Sequence, residues 1–172
     1  MEHKKPPVIQ TSRLCLRPFA DRDMEDMIAI LTHPEVGQTY MVPDYTTQEQ
    51  WQQLFAVYQR LSMVENRFIY GIYHHDQLVG FLNDVEITGD QIELGYVIHP
   101  KHKNQGFATE ALTAAIAELF LLGYNVVKTG AFEGNIASMR VMEKSGMVRL
   151  DTIDALEYRG VTHRCIWYEK RK

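Results

Sequence analysis

The sequence predicts an α+β fold, a mixed α/β domain in which helices cover both faces of a mostly antiparallel sheet. The spacing of the apolar residues gives the element order β-α-α-β-β-β-α-β-α-β-β. The helices fall between runs of strands joined by short turns, which favours antiparallel pairing. The 172 residues contain no internal repeat and no Pro/Gly/Ser-rich linker, so we predict one domain over residues 1–172.

Residues 9–46 predict a strand, a helix and a loop. Apolar and polar side chains alternate over residues 9–19, which is the period of a strand, and Pro18 ends the alternation. A set of apolar residues at helical spacing follows two aspartates, whose charge suits the positive end of a helix, and it stops before Pro34. Residues 33–46 hold two prolines, a glycine and two tyrosines and predict a loop.

Residues 46–98 predict a capped helix and three antiparallel strands. A threonine followed three residues later by Glu or Gln forms a capping box within residues 46–50. The apolar stripe of the helix consists of Trp51, Leu54, Phe55, Tyr58 and Leu61. Two apolar runs within residues 68–82 are joined by a polar tetrapeptide, His74-His75-Asp76-Gln77, which is typical of a hairpin with a solvated turn. A third strand, residues 92–98, follows a glycine-containing turn.

The remaining elements alternate between helix and strand before a final hairpin. A polar, basic loop over residues 100–106 precedes a helix that Gly123 ends. The predicted elements are a helix over 107–122, a strand over 125–132, a helix over 135–145, and a hairpin of residues 147–156 and 161–168.

Composition excludes several classes of function. The net charge is −4, so binding to nucleic acid, which relies on clustered Lys and Arg, is not expected. The longest apolar runs have five residues, against about 20 for a membrane span, so we expect no membrane segment. Cys15 and Cys165 are far apart and show no zinc-ligand spacing, so we predict reduced thiols, no metal and a cytoplasmic protein.

The segment from residue 93 to residue 112 has the pattern expected of a phosphate-binding site. It runs from a strand through a basic glycine loop into a helix, whose first N–H groups have no partner within the helix. The adjacent residues Lys101, His102 and Lys103 are expected to add positive charge. The Walker pattern GxxxxGK[ST] and the dinucleotide pattern GxGxxG are both absent from this segment.

The hexapeptide K-N-Q-G-F-A at 103–108 resembles the acyl-CoA signature of the GCN5-related N-acetyltransferases (GNAT family), (Arg/Gln)-x-x-Gly-x-(Gly/Ala). Gly106 and Ala108 match it, and Lys103 stands where Arg or Gln is usual. Further segments resemble the branch of the family that acetylates the N-terminal alanine of ribosomal proteins. They are Thr11-Ser12-Arg13-Leu14, Glu93-Leu94-Gly95-Tyr96, Asn135-x-x-Ser138, Glu143-Lys144-x-Gly146, and a terminal hairpin with Gly160 and Trp167-Tyr168.

The resemblance implies acetyl transfer from acetyl-CoA to an amine, in a cleft between splayed fourth and fifth strands. The backbone N–H groups of one loop would hold the pyrophosphate, next to the charge of Lys103. These groups belong to Asn104, Gln105, Gly106, Phe107, Ala108 and Thr109. A backbone N–H of the fourth strand, from Tyr96, Val97 or Ile98, would bind the acetyl oxygen. Asn135 would contact the pantetheine arm, or it would only cap its helix, since Asn favours that position.

Two residues are the catalytic candidates. Glu93 would accept the proton of the ammonium, directly or through a water, unless it is a plain surface or cross-strand carboxylate. Glu86 and Asp84 are weaker candidates for this base. Many family members carry a tyrosine as the acid at the position of Met142, which has no proton to donate. The resemblance therefore implies Ser138 as the acid that protonates the leaving thiolate.

The acceptor implied by the branch is a protein N-terminal α-amine. A small amine, such as a polyamine or an antibiotic, and a non-catalytic acyl-CoA sensor are the alternatives. The resemblance places the acceptor between residues 33–46 and 157–160, where Tyr40, Tyr45 and Trp51 would line a pocket unless the Trp51 stripe only packs in the core. A monomer and a homodimer both agree with the sequence.

Overall fold

The computed structural model describes residues 4–172, which form one eight-stranded sheet with helices on both faces. In chain order the elements are β1 (Ile9–Gln10), β2 (Cys15–Arg17), α1 (Met24–Leu31), α2 (Val36–Thr39), α3 (Gln48–Ser62), β3 (Tyr70–His74), β4 (Gln77–Thr88), β5 (Gln91–Ile98), α4 (Phe107–Leu121), β6 (Val126–Phe132), α5 (Ile136–Lys144), β7 (Val148–Tyr158) and β8 (Val161–Arg171). The predicted fold class is confirmed. None of the helices in the described part of the chain has the length and apolar character to cross a membrane.

The order of strands across the sheet is β1-β2-β3-β4-β5-β6-β8-β7. Neighbours pair antiparallel except β5 and β6, which are parallel. These two strands pair only over Gln91–Glu93 and Val126–Lys128, and beyond those residues they separate. The predicted splay between the fourth and fifth strands is therefore confirmed at β5 and β6, and the gap between them opens a cleft in the middle of the sheet.

Two apolar cores lie on opposite faces of the sheet. On one face, α4 and α5 pack against the strands through buried residues that include Leu112, Ile116 and Met142. On the other face, α1 and α3 cover β2–β5 through residues that include Met27 and Phe55. No core residue on this second face comes from β6, β7 or β8 among the residues that the structure describes. Helices α1 and α3 therefore cover this face of the sheet over β2–β5 and not over β6–β8.

The single strand predicted over residues 9–19 is wrong, because the chain folds there into a small hairpin of β1 and β2. The turn between them is closed by polar groups: the Thr11 N–H donates to the Leu14 carbonyl, and the Leu14 N–H donates to the Thr11 hydroxyl, both at 2.9 Å. Ile9 pairs with Leu16 across the hairpin. The apolar-polar alternation did not distinguish one strand from two that turn back on each other.

Two further segments differ from the prediction. The predicted loop over residues 33–46 contains α2, a single helical turn whose Val36 is buried and whose carbonyl accepts from the Tyr40 N–H at 2.8 Å. Strand β4 continues to Thr88, past the predicted end at residue 82, because β5 still pairs with it there, although its pairing with β3 ends at Leu82. A β-bulge at residues 84–86 shifts the register between β4 and β5 within this extension.

Several local predictions are confirmed. Thr47 and Gln50 form the capping box of α3, with the Gln50 N–H donating to the Thr47 hydroxyl at 3.3 Å. The hairpin of β3 and β4 turns at His75 and Asp76, both with positive φ, as predicted for a solvated turn. Trp51 is only 9% exposed and packs in the second core, so it belongs to the helix stripe.

Candidate active site

The loop between β5 and α4 presents a row of free backbone N–H groups. Asn104 and Gly106 adopt left-handed conformations with φ of 60° and 80°, which favours glycine at the second position. Left-handed residues alternating with ordinary ones turn successive N–H groups towards one concave surface, a geometry that binds anions. Within residues 4–172, the N–H groups of Asn104–Thr109 donate to no protein acceptor. The loop therefore has the geometry of a phosphate site, at the positive end of α4.

Lys103 does not point its charge at these N–H groups. Its Nζ lies 2.9 Å from Glu35 Oε2, on the segment that leads into α2. The hydrogen bond from Lys103, together with its charge, lowers the pKa of Glu35. Both side chains are substantially exposed, so this pair is free to exchange for another anion.

The imidazole beside the loop does not add the positive charge that the sequence predicted. Burial, and then the charge of Lys101, lower the pKa of His102 below its ordinary value, so the ring is neutral at pH 7. Burial, and then the charge of Lys101, also lower the pKa of His99. The positive potential at the loop comes instead from the backbone N–H groups at the start of α4.

The edge of β5 that faces the cleft is unpaired beyond Glu93. The His99 N–H donates to the Val79 carbonyl of β4 at 2.8 Å. Because successive residues of a strand direct their backbone groups to alternate sides, the N–H of Val97 also points towards β4. The N–H groups of Tyr96 and Ile98 point into the cleft.

Glu93 lies where β5 and β6 begin to separate. It is opposite Glu86 on β4 and beside Lys128 on β6. Burial raises the pKa of Glu93, the charge of Glu86 raises it further, and Lys128 opposes both. No hydrogen bond occupies its carboxylate within the described residues. The group is therefore free to take a proton, and it binds that proton more tightly than an ordinary carboxylate does.

The other two carboxylates considered as bases differ in their surroundings. Asp84 accepts two hydrogen bonds from Arg67 Nε, a third from Arg67 Nη2 at 2.6 Å, and one from the Phe68 N–H at 2.8 Å. It is buried, and these bonds join it to residues 67 and 68, which sets it apart from the carboxylate of Glu93, unbonded within residues 4–172. Glu86 is exposed on β4, across from Glu93.

Ser138 forms a pair of hydroxyls with Tyr96. The two oxygens are 2.6 Å apart, and the Tyr96 hydroxyl also donates to the Ser138 carbonyl at 3.1 Å. Burial raises the pKa of Tyr96, although the hydrogen bond with Ser138 opposes this, so the phenol is protonated at neutral pH. The pair bridges β5 and α5 beside the cleft. From the sequence, only the backbone N–H of Tyr96 was a candidate, and the contact of its hydroxyl with Ser138 had no signal in the local sequence.

Asn135 occupies the cap of α5, where its Oδ1 accepts from the Ser138 N–H at 3.2 Å. This contact is the capping role considered from the sequence, and it leaves the amide nitrogen free. Met142 is completely buried in the first core, so its position contributes packing and no hydroxyl.

The open face of β6, β7 and β8 forms the other wall of the cleft. The indole of Trp167 lies against Gly130, where a Cβ would come within 2.8 Å of the ring. The Trp167 Nε1 donates to Asp154 Oδ2 at 2.7 Å, which fixes the ring. Gly95 of β5 also lies against side chains, with the Tyr40 ring 3.6 Å from where its Cβ would be. Each glycine thus makes room for an aromatic ring, Trp167 at Gly130 and Tyr40 at Gly95.

The two segments expected to flank the acceptor meet in the structure. Arg159, at the tip of the β7–β8 hairpin, forms an ion pair with Asp44 at 2.9 Å. The Val42 N–H donates to the Tyr158 hydroxyl at 3.3 Å. Between these segments lies a cavity of about 320 Å³ that His33, Tyr45 and Trp51 help to line.

A longer groove leads away from the anion-binding loop. Its volume is about 560 Å³, and it follows the exposed side of α4 from Gly106 through Thr109 and Thr113. Lys144 of α5 lies along it. An extended ligand with a phosphate at the loop would therefore have room along this helix.

Comparison with known proteins agrees with this geometry. The chain is 27% identical over 161 residues to the uncharacterized N-acetyltransferase YoaA of Bacillus subtilis, an alignment that covers 91% of each chain. A structure of a putative ribosomal-protein-serine acetyltransferase from Vibrio cholerae superposes with a TM-score of 0.81 at 21% identity, covering 98% of this chain and all of that one (100%). RimL, a ribosomal L7/L12 α-N-protein acetyltransferase, in complex with coenzyme A, superposes with a TM-score of 0.82 at 18% identity over 95% and 97% of the two chains.

The match to a family model decides the assignment. Residues 13–148, from the β1–β2 turn to the start of β7, match the model described as the acetyltransferase (GNAT) domain. This span contains the anion-binding loop, the unpaired edge of β5 and the Tyr96–Ser138 pair. The resemblance inferred from the motifs is confirmed: the chain belongs to the GNAT family of N-acetyltransferases.

Proposed function

We propose that the protein transfers the acetyl group of acetyl-CoA to a primary amine, that this amine is a protein N-terminal α-amine, and that residues 1–172 act as one acyl-CoA N-acyltransferase domain. The observation that carries the proposal is the unpaired edge of β5, which leads directly into the free N–H groups of Asn104–Thr109. A free strand edge that continues into an anion site suits a ligand that has both an amide-containing arm and a pyrophosphate.

In this proposal, acetyl-CoA binds along that line. The pyrophosphate accepts hydrogen bonds from the loop and draws Lys103 away from Glu35, because a diphosphate carries more charge than one carboxylate. The amides of the pantetheine arm pair with the free edge of β5 as an added strand would. The amide nitrogen of Asn135 donates to the same arm. The adenosine end lies in the groove along α4, within reach of Lys144.

The reaction is a direct displacement at the thioester carbon. Glu93 accepts a proton from the ammonium of the acceptor, directly or through a water. The free amine attacks the carbonyl and forms the C–N bond, and the charge that develops on oxygen is stabilised by the N–H of Tyr96 or Ile98. A donor of this kind contributes about 3 kcal/mol. The intermediate then collapses and the C–S bond breaks. The new amide nitrogen loses its second proton to water, the thiolate takes a proton from Ser138, and the serine oxygen recovers a proton from water.

Tyr96 supports the last step through its hydroxyl. Tyr96 has one proton to share between the Ser138 carbonyl and the Ser138 hydroxyl. When Tyr96 donates to the hydroxyl oxygen of Ser138, the hydroxyl proton of Ser138 is free to point into the cleft. The raised pKa of Tyr96 keeps it a donor throughout the neutral range. Tyr96 keeps its proton, and its hydrogen bond stabilises the Ser138 oxygen as the serine proton leaves.

The charges around the cleft favour an N-terminal α-amine over a polyamine. Asp44 and Asp84, which would attract a polycation, are each paired with an arginine. Glu86 and Glu93 face each other across β4 and β5, and only one of them is needed as the base. The fold neighbours include ribosomal-protein acetyltransferases, which is the second support for this acceptor. A small amine is the alternative, and a non-catalytic acyl-CoA sensor is the runner-up outside enzymes.

The test is calorimetric titration with acetyl-CoA, followed by thiol release against N-terminal peptides, spermidine and an aminoglycoside. We expect binding, and release with a peptide. Release only with spermidine or the aminoglycoside would move the acceptor to the small amines, and binding without release would favour a sensor. Ser138→Ala should lower turnover more than binding. Ser145→Ala, on the same helix but bonded to the Val141 carbonyl, is the matched control.

A further inference from the structure

We propose that Arg13 is a positioning residue for the cofactor, and that it holds the Gln105–Gly106 peptide so that the Gly106 N–H faces the cofactor cleft. Arg13 lies in the turn between β1 and β2, far from the loop in sequence, yet its Nη1 donates to the Gln105 carbonyl at 2.8 Å. The inference rests on the proposed binding of acetyl-CoA at this loop. The inference adds Arg13, a residue outside the loop, as the group that sets the orientation of the loop.

The argument follows from the geometry of one peptide group. A trans peptide is planar, and its C=O and N–H point in opposite directions. Because the Gln105 carbonyl is held towards Arg13, the Gly106 N–H points away from Arg13. Strands β1 and β2 lie at one edge of the sheet, whereas the cleft opens further along it, between β5 and β6. The Gly106 N–H is therefore directed away from Arg13, and the proposal places the pyrophosphate on that side.

A fixed support is needed because this peptide is easily reoriented. Gly106 has a φ of 80° and no side chain, so rotation of the preceding peptide meets little steric resistance. If the peptide turned over, the Gln105 carbonyl would face the phosphates and repel them. One hydrogen bond from a charged donor is enough to favour the productive orientation.

Arg13 is itself held on several sides. Glu110, in the first turn of α4, accepts from Arg13 Nε at 2.7 Å and from the Arg13 backbone N–H at 2.9 Å. The same carboxylate accepts from the hydroxyls of Thr11 and Ser12 at 2.6 and 3.1 Å. The guanidinium also lies over the Phe107 ring, 5.0 Å from its centroid. The β1–β2 turn, the loop and the start of α4 thus form one unit.

Lys103 cannot supply this support. It occupies the position where the family motif usually has Arg or Gln, but its ammonium is a point charge on a flexible chain and it pairs with Glu35. The forked guanidinium of Arg13 contacts Glu110 and Gln105 at the same time. The rigid cationic contact of the loop is therefore provided from β1–β2.

The experiment combines calorimetry with coenzyme A and the ¹⁵N–¹H spectrum of the free protein, for wild type, Arg13→Ala, Arg13→Lys and Glu110→Gln. Arg60→Ala is the matched control, since it removes an exposed arginine from α3 on the other face of the sheet. Thermal unfolding reports whether each variant is folded. Glu110→Gln leaves Arg13 in place but removes the charge that orients it.

For Arg13→Ala we expect the Kd of coenzyme A to rise about tenfold, with the Gly106 amide signal displaced in the free protein. Arg13→Lys should restore little of the affinity, because lysine cannot contact both partners, and Arg60→Ala should behave as wild type. The proposal is overturned if Arg13→Ala binds within twofold of wild type, or if Arg13→Lys restores binding fully, which would indicate general charge attraction. Failure of the wild type to bind coenzyme A would instead refute the proposed function, and the Gly106 signal would still report on the support.

Discussion

Replacing Glu110 with glutamine tests how strongly one carboxylate joins the β1–β2 turn to α4. The side chain is 16% exposed and accepts four hydrogen bonds from Thr11, Ser12 and Arg13. Burial by itself raises the pKa of Glu110, but the hydrogen bonds from these residues outweigh it and lower the pKa to about 2. Folding therefore favours the ionised form, and that preference is a contribution to stability.

The size and sign of the effect follow from linkage. A fall of the pKa from 4.5 to about 2 corresponds to about 3 kcal/mol, which solvent screening of a site close to the surface reduces to about 1 to 2 kcal/mol. Because the folded pKa is depressed, this stability is fully present above pH 4.5 and is lost as the pH falls from about 4.5 towards 2. At pH 7 the loss corresponds to a Tm lower by about 3 to 6 °C.

The measurement is the free energy of unfolding in urea for wild type and Glu110→Gln, at pH 7 and at pH 3. We expect the difference between the two proteins at pH 7 to shrink by more than half at pH 3. Glu157→Gln, which removes an exposed carboxylate from β7, is the control and should show no comparable difference. A gap that is equal at both pH values would refute the reasoning, because it would come from packing and not from charge.

Three other substitutions test the cleft. Tyr96→Phe should lower kcat about tenfold with little change in the KM for acetyl-CoA, as steady-state kinetics would reveal; a rise confined to KM would contradict a role beside Ser138. Glu93→Gln should abolish the acidic limb of the pH–rate profile, which in wild type falls away as the pH drops through the raised pKa of Glu93; persistence of that limb would exclude it as the base. Gly80→Ala would place a Cβ against the Val97 carbonyl of β5, so we expect about 2 kcal/mol of destabilisation in urea unfolding, and a neutral result would mean that β4 and β5 move apart easily.

The two wrong or incomplete strand predictions have a common cause. Residues 9–19 keep strand periodicity through the turn at Thr11–Leu14, because a polar turn fits the same alternation. The apolar pattern of β4 ends at residue 82, but the strand continues to Thr88 because β5 provides a partner on one side. In both places the pairing of strands, which depends on distant residues, decided the outcome.

In the candidate site, too, features set by neighbouring residues were predictable from the sequence, and features set by distant contacts were not. The loop with Gly106 and the cap with Asn135 were recognisable because turn and cap preferences act between near neighbours. The positive charge that the sequence predicted for His102 is absent, because burial and the charge of Lys101 lower the pKa of His102. Neither effect could be read from the local sequence. Likewise, nothing in the local sequence indicated that Arg67 would form an ion pair with Asp84.

The sequence by itself determined the family, the order of the elements and the loop that presents free N–H groups, since these depend on the period of apolar residues and on short motifs. Only the tertiary structure decided which N–H groups of β5 face the cleft, that Tyr96 contacts Ser138 across 42 residues, and that Arg13 contacts Glu110 across 97. Backbone preferences are encoded between neighbours in the chain. Contacts between distant side chains exist only once the packing of the sheet and helices has brought them together.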